Sequence, residues 1–364
     1  MRRITALVLL VLLAGCARQA DETPMAFLGT AWRDYVPVYV MPDGYVLDRT
    51  RGPDGEVVSE AQGYALLRAA WMRDADTFDR VLTWTERTLR RPDGLYSWRW
   101  SPANGGTMLD SNTATDADQE IALALIMGAA VFDRPWLVAR AAELLRAVRA
   151  HESIVVGDGW FPAAGNWAVD ERIVNLSYFL PYAYDAFARI DPEGRWDQAL
   201  TTGYALLAAV MAPQGVAFPP DFMTVDAAGA PGPLPAGSKL SAAFSFDAVR
   251  LYARVAMDCR VSGRAAACAD TLHAAAVARR LDRDGRIVTK YSVDGTPESD
   301  VESLSFYGCL LPAFERHAPE AARQLLAGRL SQDALRPILR APDRYYDLNW
   351  VWFGLAVSQG FPST

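Results

Sequence analysis

Acidic residues that could do chemistry stand in three segments, each near the predicted start of a helix. They are Glu60 in residues 59–64 (SEAQGY), Asp116 and Asp118 in residues 114–120 (ATDADQE), and Asp247 in residues 244–250 (FSFDAVR). Cleavage of a glycosidic bond needs two positioned carboxyl groups, one protonated and one ionised. Burial in a loop-facing, partly apolar setting raises the pKa of a carboxyl group and keeps it protonated for acid work. Hydrolysis of a glycosidic bond is therefore the first chemistry to consider.

Glu60 and Asp247 suit opposite parts in such a pair. Gly63 leaves space beside Glu60 and Tyr64 offers a hydroxyl group, which suits a general acid. Asp247 precedes Arg250 by three residues, a spacing at which the two side chains can pair and hold the carboxylate ionised as a base. Two simpler interpretations stay open. Glu60 could be an ordinary first-turn glutamate favoured by the helix dipole, and Asp247 could belong to a surface ion pair.

Asp116 and Asp118 are two residues apart, so they do not share a face of a helix. We expect one of them to point towards a cleft and the other to cap the helix or pair locally. A calcium-type loop is disfavoured, because no glycine bend and no further ligand set follows the Asp-x-Asp-x-Glu pattern. A plain N-terminal capping cluster remains an alternative for both residues.

Three tryptophans stand in predicted loops. Trp98 and Trp100 occupy one loop together with Asn112, and Trp167 occupies another. Loop tryptophans beside polar groups can stack on the flat apolar faces of sugars, so these residues are candidate substrate contacts. The alternative is that the tryptophans pack the loops onto the body of the protein.

The overall composition excludes several classes of function. The chain has 364 residues, 36 basic and 43 acidic, with a net charge of −7, which argues against binding nucleic acid. It has three histidines and no Cys/His spacing typical of zinc, so Ser-His-Asp and zinc chemistry are disfavoured. No metal and no organic cofactor is expected. Cys259 and Cys268 flank a turn-like stretch and could form a disulfide, whereas Cys309 lies in an apolar segment.

The first residues resemble a bacterial export signal. A basic start is followed by an apolar run over residues 4–13, too short to span a bilayer, and then by Leu-Ala-Gly-Cys ending at Cys16. Small residues before a cysteine at this place resemble a lipobox, which implies lipidation of Cys16. Ala17 rather than Asp follows, so retention in the inner membrane is not indicated. The expected location is the periplasm, with a lipid anchor to the outer membrane.

The rest of the chain has mostly helical periodicity, with a short extended segment predicted at residues 35–41. About eleven helices are predicted, near residues 59–73, 77–89, 115–132, 135–150, 175–189, 195–211, 242–257, 264–281, 301–315, 319–327 and 343–358. Residues 282–291 could form a small hairpin. Alternating short and long connections favour helical hairpins arranged in a ring, with the long loops gathered at one end.

Taken together, the motifs resemble glycoside hydrolase family 8. Residues 59–64 resemble the family's acid-bearing segment, and residues 114–132 (ATDADQEIALALIMGAAVF) resemble its signature. The segments 175–179 (NLSYF) and 246–250 (FDAVR) follow in the family's order. The resemblance spans about residues 30–358. Ala61 stands where family members often have Gly.

The resemblance implies an all-α fold, an (α/α)6 barrel of helical hairpins with a few short strands in loops. Together with the export signal, this predicts a lipoprotein signal peptide at residues 1–15, a tether at 16–29 and a single catalytic domain at 30–364. It implies inverting hydrolysis with Glu60 as general acid and Asp247 as general base. Asp116 matches the carboxylate that holds the distorted sugar, and Tyr178 matches a tyrosine near the catalytic water. Arg250 and Asn112 join the candidate substrate contacts.

The expected activity is that of an endo-acting β-1,4-glucanase. Size, export signal and the FDAVR segment resemble the endoglucanases encoded with bacterial cellulose synthase, so the synthase complex is a candidate partner beside the β-1,4-glucan chain. Xylanase, lichenase or chitosanase activity stays open, because subsite contacts decide between these substrates. A weakly active lipoprotein that binds exopolysaccharide as an assembly factor is the alternative of another class.

Overall fold

The computed structural model describes residues 22–362. The predicted signal peptide and Cys16 lie outside these residues. Within them the chain forms fourteen α-helices: α1 Pro24–Tyr39, α2 Ser59–Trp71, α3 Ala75–Thr88, α4 Thr115–Val131, α5 Trp136–His151, α6 Pro181–Ile190, α7 Trp196–Met211, α8 Arg250–Ser262, α9 Ala265–Cys268, α10 Ala274–Asp284, α11 Leu304–His317, α12 Pro319–Ala327, α13 Gln332–Leu335 and α14 Tyr345–Ser358.

Six of these helices form an inner ring in the order α2, α4, α6, α8, α11 and α14, each packed against the next along the ring. Helices α4 and α14 are apolar around most of their circumference, which predicts burial on all sides, and most of their residues are buried. Helices α1, α3, α5, α7, α10 and α12 pack outside the ring. This is the (α/α)6 barrel that the sequence predicted.

The ring closes between α14 and α2 through aromatic and polar contacts. The rings of Tyr64 and Trp350 meet edge to face, with centroids 5.6 Å apart. The buried guanidinium of Arg68 donates to Asn349 at 3.0 Å and lies 4.1 Å from the ring centroid of Tyr35 on α1. Among the described residues Arg68 has no carboxylate partner, and its burial is tolerated because aromatic faces and an amide oxygen replace part of its hydration.

Helices α11 and α14 cross at very short range because each has a glycine at the contact. A Cβ atom on Gly308 would lie 2.4 Å from the carbonyl oxygen of Trp350, and one on Gly354 would lie 2.1 Å from that of Gly308. No larger residue fits either position without moving a backbone, so these two glycines set the spacing of the helices.

Long connections precede the inner helices and gather at one end of the barrel, which we call the loop end. They contain eight short strands: β1 Val57–Val58, β2 Arg99–Ser101, β3 Thr107–Asp110, β4 Ser153–Val156, β5 Gly159–Pro162, β6 Ile173–Val174, β7 Met223–Val225 and β8 Pro231–Gly232. They form the antiparallel sheets β1-β2-β3, β4-β5 and β6-β7-β8. Pairing of β1 with β2 sets Val57 opposite Trp100, and Ser59 N–H donates to the Trp98 carbonyl at 2.9 Å. This register carries Trp98 to the start of α2.

Helix α1 corrects two predictions. Residues 35–39 are helical, not extended, and residues 24–29, assigned to a tether, form the first turns of the same helix. The buried residues of α1 recur at helical spacing and pack on the barrel; they are Phe27, Leu28, Ala31, Trp32, Tyr35 and Tyr39. This 3–4 periodicity outweighs the strand preference of the YVPVYV stretch, and Pro37 is accommodated in the last turn.

Four other predicted elements differ from the structure. Helix α6 starts at Pro181, after a 3₁₀ turn over Leu176–Tyr178, and α8 starts at Arg250 rather than near residue 242. The predicted helix 264–281 is divided into α9 and α10. The predicted hairpin at 282–291 is wrong, because α10 extends to Asp284 and Tyr291 bridges to Phe244 and Pro297 instead.

The end of the barrel opposite the loop end contains a disulfide bond and the start of α1. Cys259, near the carboxyl end of α8, is joined to Cys268 by a disulfide, as the sequence suggested, whereas Cys309 is buried and unpaired. Pro24, where α1 begins, lines a cavity together with Ser358 at the carboxyl end of α14. The described chain therefore enters the barrel at the end away from the long loops.

Candidate active site

A cavity of about 350 Å³ lies at the loop end, where the amino ends of the inner helices converge. Six of the nine predicted catalytic and substrate-contacting residues line it: Glu60, Trp98, Asn112, Trp167, Tyr178 and Asp247. A larger cavity of about 430 Å³ lies beside the carboxyl ends of α8 and α11, away from the predicted carboxyl groups. The loop-end cavity is therefore the candidate active site because the predicted carboxyl groups line it, although it is the smaller of the two.

Glu60 is the second residue of α2 and lies partly exposed on the cavity wall. Burial raises the pKa of its carboxyl group to about 7, and the negative charge of Asp116 adds to the effect. The positive charges of Arg250 and Arg51 act in the opposite direction but are outweighed. A glutamate with this pKa holds its proton in much of the population at neutral pH, as a general acid must.

Asp247 lies in the irregular turn just before α8, with a third of its side chain exposed to the cavity. The predicted pair forms, since Arg250 Nη2 donates to Asp247 Oδ1. Burial raises the pKa of Asp247, and the lowering by Arg250 does not cancel this, because Asp116 also raises it. The arginine thus orients the carboxylate and partly offsets its burial, but the expected net lowering of the pKa does not occur.

Asp116 and Arg250 lie beneath the cavity and do not line it. The Asp116 carboxylate is fully buried and accepts from Arg250 Nη1 at 2.8 Å and from Arg254 Nη2 at 3.2 Å. Arg254 also donates to Glu120, whose pKa burial raises to about 8. Protein groups enclose both residues, so their contact with a substrate stays a prediction. In the structure they form a buried ion-pair cluster beneath the carboxyl groups of Glu60 and Asp247.

The three candidate tryptophans differ in their surroundings. Trp98 and Trp167 line the cavity, and 39% of Trp167 is exposed. Trp100 packs against Trp84 and Tyr45, with ring centroids 5.0 and 5.4 Å away. The packing alternative is therefore correct for Trp100, and two aromatic faces remain available at the cavity.

Asp118 turns away from the cavity, as expected for one member of the Asp116/Asp118 pair. Its Oδ1 accepts from the backbone N–H of Tyr96 at 3.0 Å, and burial raises its pKa well above the usual value. Glu152 lies beside it, and burial raises the pKa of this carboxyl group to about 7. Glu152 also accepts from Thr113, which lines the cavity. The two carboxyl groups are thus a buried hydrogen-bonded pair behind the cavity wall.

Sequence reasoning missed several residues of the site. Arg51, Asp110, Thr113, Phe222 and Leu240 also line the cavity. Arg51 directly precedes a turn rich in Gly and Pro, and Phe222 closely follows Pro219-Pro220, so only their loop positions pointed to function. Within residues 22–362, no group of three or more Asp, Glu, His or Cys side chains is arranged to hold a metal ion.

Comparison with known proteins agrees with this geometry. A probable endoglucanase of Novacetimonas hansenii is 33% identical over 240 residues, which cover 64% of this chain and 67% of the relative. An endoglucanase of Cellulomonas uda is 31% identical over 192 residues, about half of each chain. The crystal structure of an endo-1,4-D-glucanase from Vibrio fischeri superposes with a TM-score of 0.76 at 23% identity, covering 91% of this chain and 95% of that one, which shows the shared fold. The sequence profile of the glycosyl hydrolases family 8 matches residues 1–305. The chain therefore belongs to glycosyl hydrolase family 8.

Proposed function

We propose that the protein is an endo-acting, inverting β-1,4-glucanase that hydrolyses cellulose or a related β-glucan. The observation that carries the proposal is that Glu60 and Asp247 line one cavity together with Trp98 and Trp167. The two relatives described above are named as a probable endoglucanase and an endoglucanase. An open cavity bordered by loops suits binding within a chain, as an endo-acting enzyme requires.

The proposed reaction uses both carboxyl groups at once. Trp98 and Trp167 stack on sugar rings on either side of the bond to be cut. Glu60 donates its proton to the bridging oxygen as the bond breaks. Asp247 takes a proton from a water molecule that attacks the opposite face of the sugar, which inverts the anomeric centre. An inverting pair needs carboxyl groups roughly 6.5–9.5 Å apart to leave room for that water.

Below the cavity, Asp116 and its two arginines have an electrostatic part in this proposal. Burial raises the pKa values of both Glu60 and Asp247, and the negative charge of Asp116 adds to this effect. The charge thus helps to keep the acid protonated, and Arg250 holds the base in place. A direct bond from Asp116 to a distorted sugar would require substrate to displace part of this network.

Variants at the two carboxyl groups test the proposal. On carboxymethylcellulose, Glu60→Gln and Asp247→Asn should each lose nearly all kcat while circular dichroism shows a folded protein. General acid–base groups contribute about 10²–10⁴-fold to rate. An aryl β-cello-oligosaccharide with a good leaving group needs no proton donor, so it should restore much of the rate of Glu60→Gln but not of Asp247→Asn. Glu315→Gln, which alters a glutamate bonded to Ser358 at the opposite end, is the matched control.

Product analysis decides the remaining points. NMR of the first product should show the α-anomer, and a β-anomer would overturn the inverting mechanism. A panel of carboxymethylcellulose, mixed-linkage glucan, xylan and chitosan should give the highest kcat/KM on a β-glucan. Absence of new reducing ends from every polymer would favour the polysaccharide-binding alternative.

We also propose export to the periplasm and lipid anchoring at Cys16, with the cellulose synthase complex as a candidate partner. The basic, apolar and Leu-Ala-Gly-Cys segments of the first sixteen residues support this. In the part of the chain from 22 to 362, no helix is long and apolar enough to cross a membrane. Labelling with a radioactive fatty acid should mark the full-length protein and fail for Cys16→Ser, and co-purification with synthase subunits tests the partner.

A further inference from the structure

Asp221 is a buried carboxylate that neither the sequence motifs nor the cavity lining includes. It is 1% exposed and lies in the loop between α7 and α8. Its Oδ1 accepts from the backbone N–H groups of Ser245 and Ala248, each at 2.9 Å, and its Oδ2 accepts from the Ser245 hydroxyl. Three donors of one short segment therefore converge on one side chain from a distant part of the chain.

The segment that Asp221 holds is the turn from which Asp247 projects. Residues 245–249 form an irregular turn before α8. Asp221, which lies in another part of the same long loop, accepts from the N–H groups of Ser245 and Ala248 in this turn. The backbone pairing of Phe244 with Tyr291, at 2.8 and 3.0 Å, fixes the other side of the turn.

We propose that Asp221 is a positioning residue for hydrolysis, whose carboxylate fixes the 245–248 turn and so aims Asp247 at the attacking water. This inference rests on the proposed function, in which Asp247 is the base. Hydrogen bonds to an ionised carboxylate are about twice as strong as neutral ones, so three of them hold the turn firmly. Phe222, the next residue, lines the cavity, which ties the same loop to the substrate.

Asp221 also acts on Asp247 through charge. Burial and the negative charge of Asp247 raise the pKa of Asp221 to about 6, and Coulomb repulsion between two carboxylates is mutual. Asp247 also interacts with Arg250 and Arg254 on α8, Asp116 on α4, Tyr346 on α14, Tyr178 and the Asn175 amide. Removing the charge of Asp221 should thus make Asp247 easier to ionise.

Two variants separate these effects. In Asp221→Asn the amide oxygen can still accept from Ser245 and Ala248, so the turn is kept and only the charge is lost. We expect a kcat near that of the unmodified enzyme and an acid limb of kcat/KM shifted to lower pH. In Asp221→Ala the turn is released, and we expect kcat to fall by about 10²-fold, the cost of misplacing a reacting group by about 1 Å. KM should change much less.

A matched control exists on α14. Asp347 is a buried carboxylate that accepts from Ser305 N–H at 2.9 Å and from the Ser303 hydroxyl, so it fixes the start of α11 in the same way. That turn carries neither predicted catalytic carboxyl group. Asp347→Asn should lower thermal stability and leave the acid limb of kcat/KM unchanged. If the role of Asp221 were purely structural, Asp221→Asn would give the same result.

The outcomes are distinguishable. A folded Asp221→Ala enzyme with unaltered kcat, or one changed in KM alone, overturns the inference, and so does an acid limb that Asp347→Asn shifts as much as Asp221→Asn. If Asp221→Ala does not fold, Ser245→Ala decides, because it removes one of the three donors and should lower kcat in the same direction; an unchanged kcat overturns the inference. A native enzyme inactive on every glucan overturns the proposed function instead.

Discussion

The raised pKa of Glu60 predicts a specific alkaline limit to activity. Burial and the nearby Asp116 charge move this pKa from 4.5 to about 7, which favours the protonated form by about 3 kcal/mol. At pH 6 about 90% of Glu60 then carries its proton, against about 3% for an unperturbed glutamate. Because the acid must be protonated, kcat/KM should fall as pH rises through about 7.

The assay is the pH profile of kcat/KM on a soluble β-glucan at constant ionic strength, with circular dichroism at each pH. An aryl β-cello-oligosaccharide with a good leaving group should lack the alkaline limb, since it needs no proton from Glu60. A limb below pH 5, or the same limb with both substrates, would refute the assignment of the acid and of its environment.

Removing a positive charge near Glu60 tests the pKa of this carboxyl group in a second way. Arg51 lines the cavity and lowers the pKa of Glu60, so Arg51→Met should shift the alkaline limb to higher pH, more so at low salt. Arg49→Met is the control, because Arg49 is bonded to the Val38 carbonyl and is absent from the cavity lining. Equal shifts in both variants would mean that general surface charge, not the local contact, sets the limb.

Three further predictions concern stability. The raised pKa values of Asp118 and Glu152 mean that the folded state keeps protons that the unfolded state releases, so this contribution is complete below about pH 4 and is lost as pH rises through 7. Asp118→Asn should lose less unfolding free energy between pH 5 and pH 8 than the parent in urea titrations; parallel losses would contradict the pair. Replacing Cys259 and Cys268 by Ser should lower stability by about 2–3 kcal/mol, the closure entropy of a loop of this size, without changing kcat. Gly354→Ala should prevent folding or lower Tm by many degrees, because its Cβ atom would lie 2.1 Å from a backbone oxygen.

Much of the fold and site follows from local sequence. Glu60 and Asp116 are at helix starts because the surrounding periodicity places them there, and the ring brings the amino ends of its helices together. The barrel itself was expected from the resemblance and from the alternation of short and long connections. Local pattern therefore gave the positions of these carboxyl groups along the chain, and the resemblance to the family selected Glu60 and Asp247 as the candidate acid and base.

Contacts between distant segments were beyond that reasoning. Trp98 and Trp100 have the same side chain and are two residues apart in one loop, so the sequence does not distinguish them. A register shift between Arg99 and Trp100 in the sheet accompanies the packing of Trp100 in an aromatic cluster. Asp221 lies 24 residues before Ser245, and nothing in either segment marks the bond between them. Such contacts depend on how loops meet in space, which periodicity does not encode.

The entry of the chain at Pro24 has a consequence for how the protein would face a surface. Pro24 lies near the carboxyl end of α14, and this helix of 14 residues spans about 21 Å. Anything that fastened the preceding residues to a bilayer would thus attach to the end of the barrel away from the cavity, which lies about 20 Å further along the barrel axis. A polymer passing overhead could reach the tryptophans without first being pulled down to the lipid.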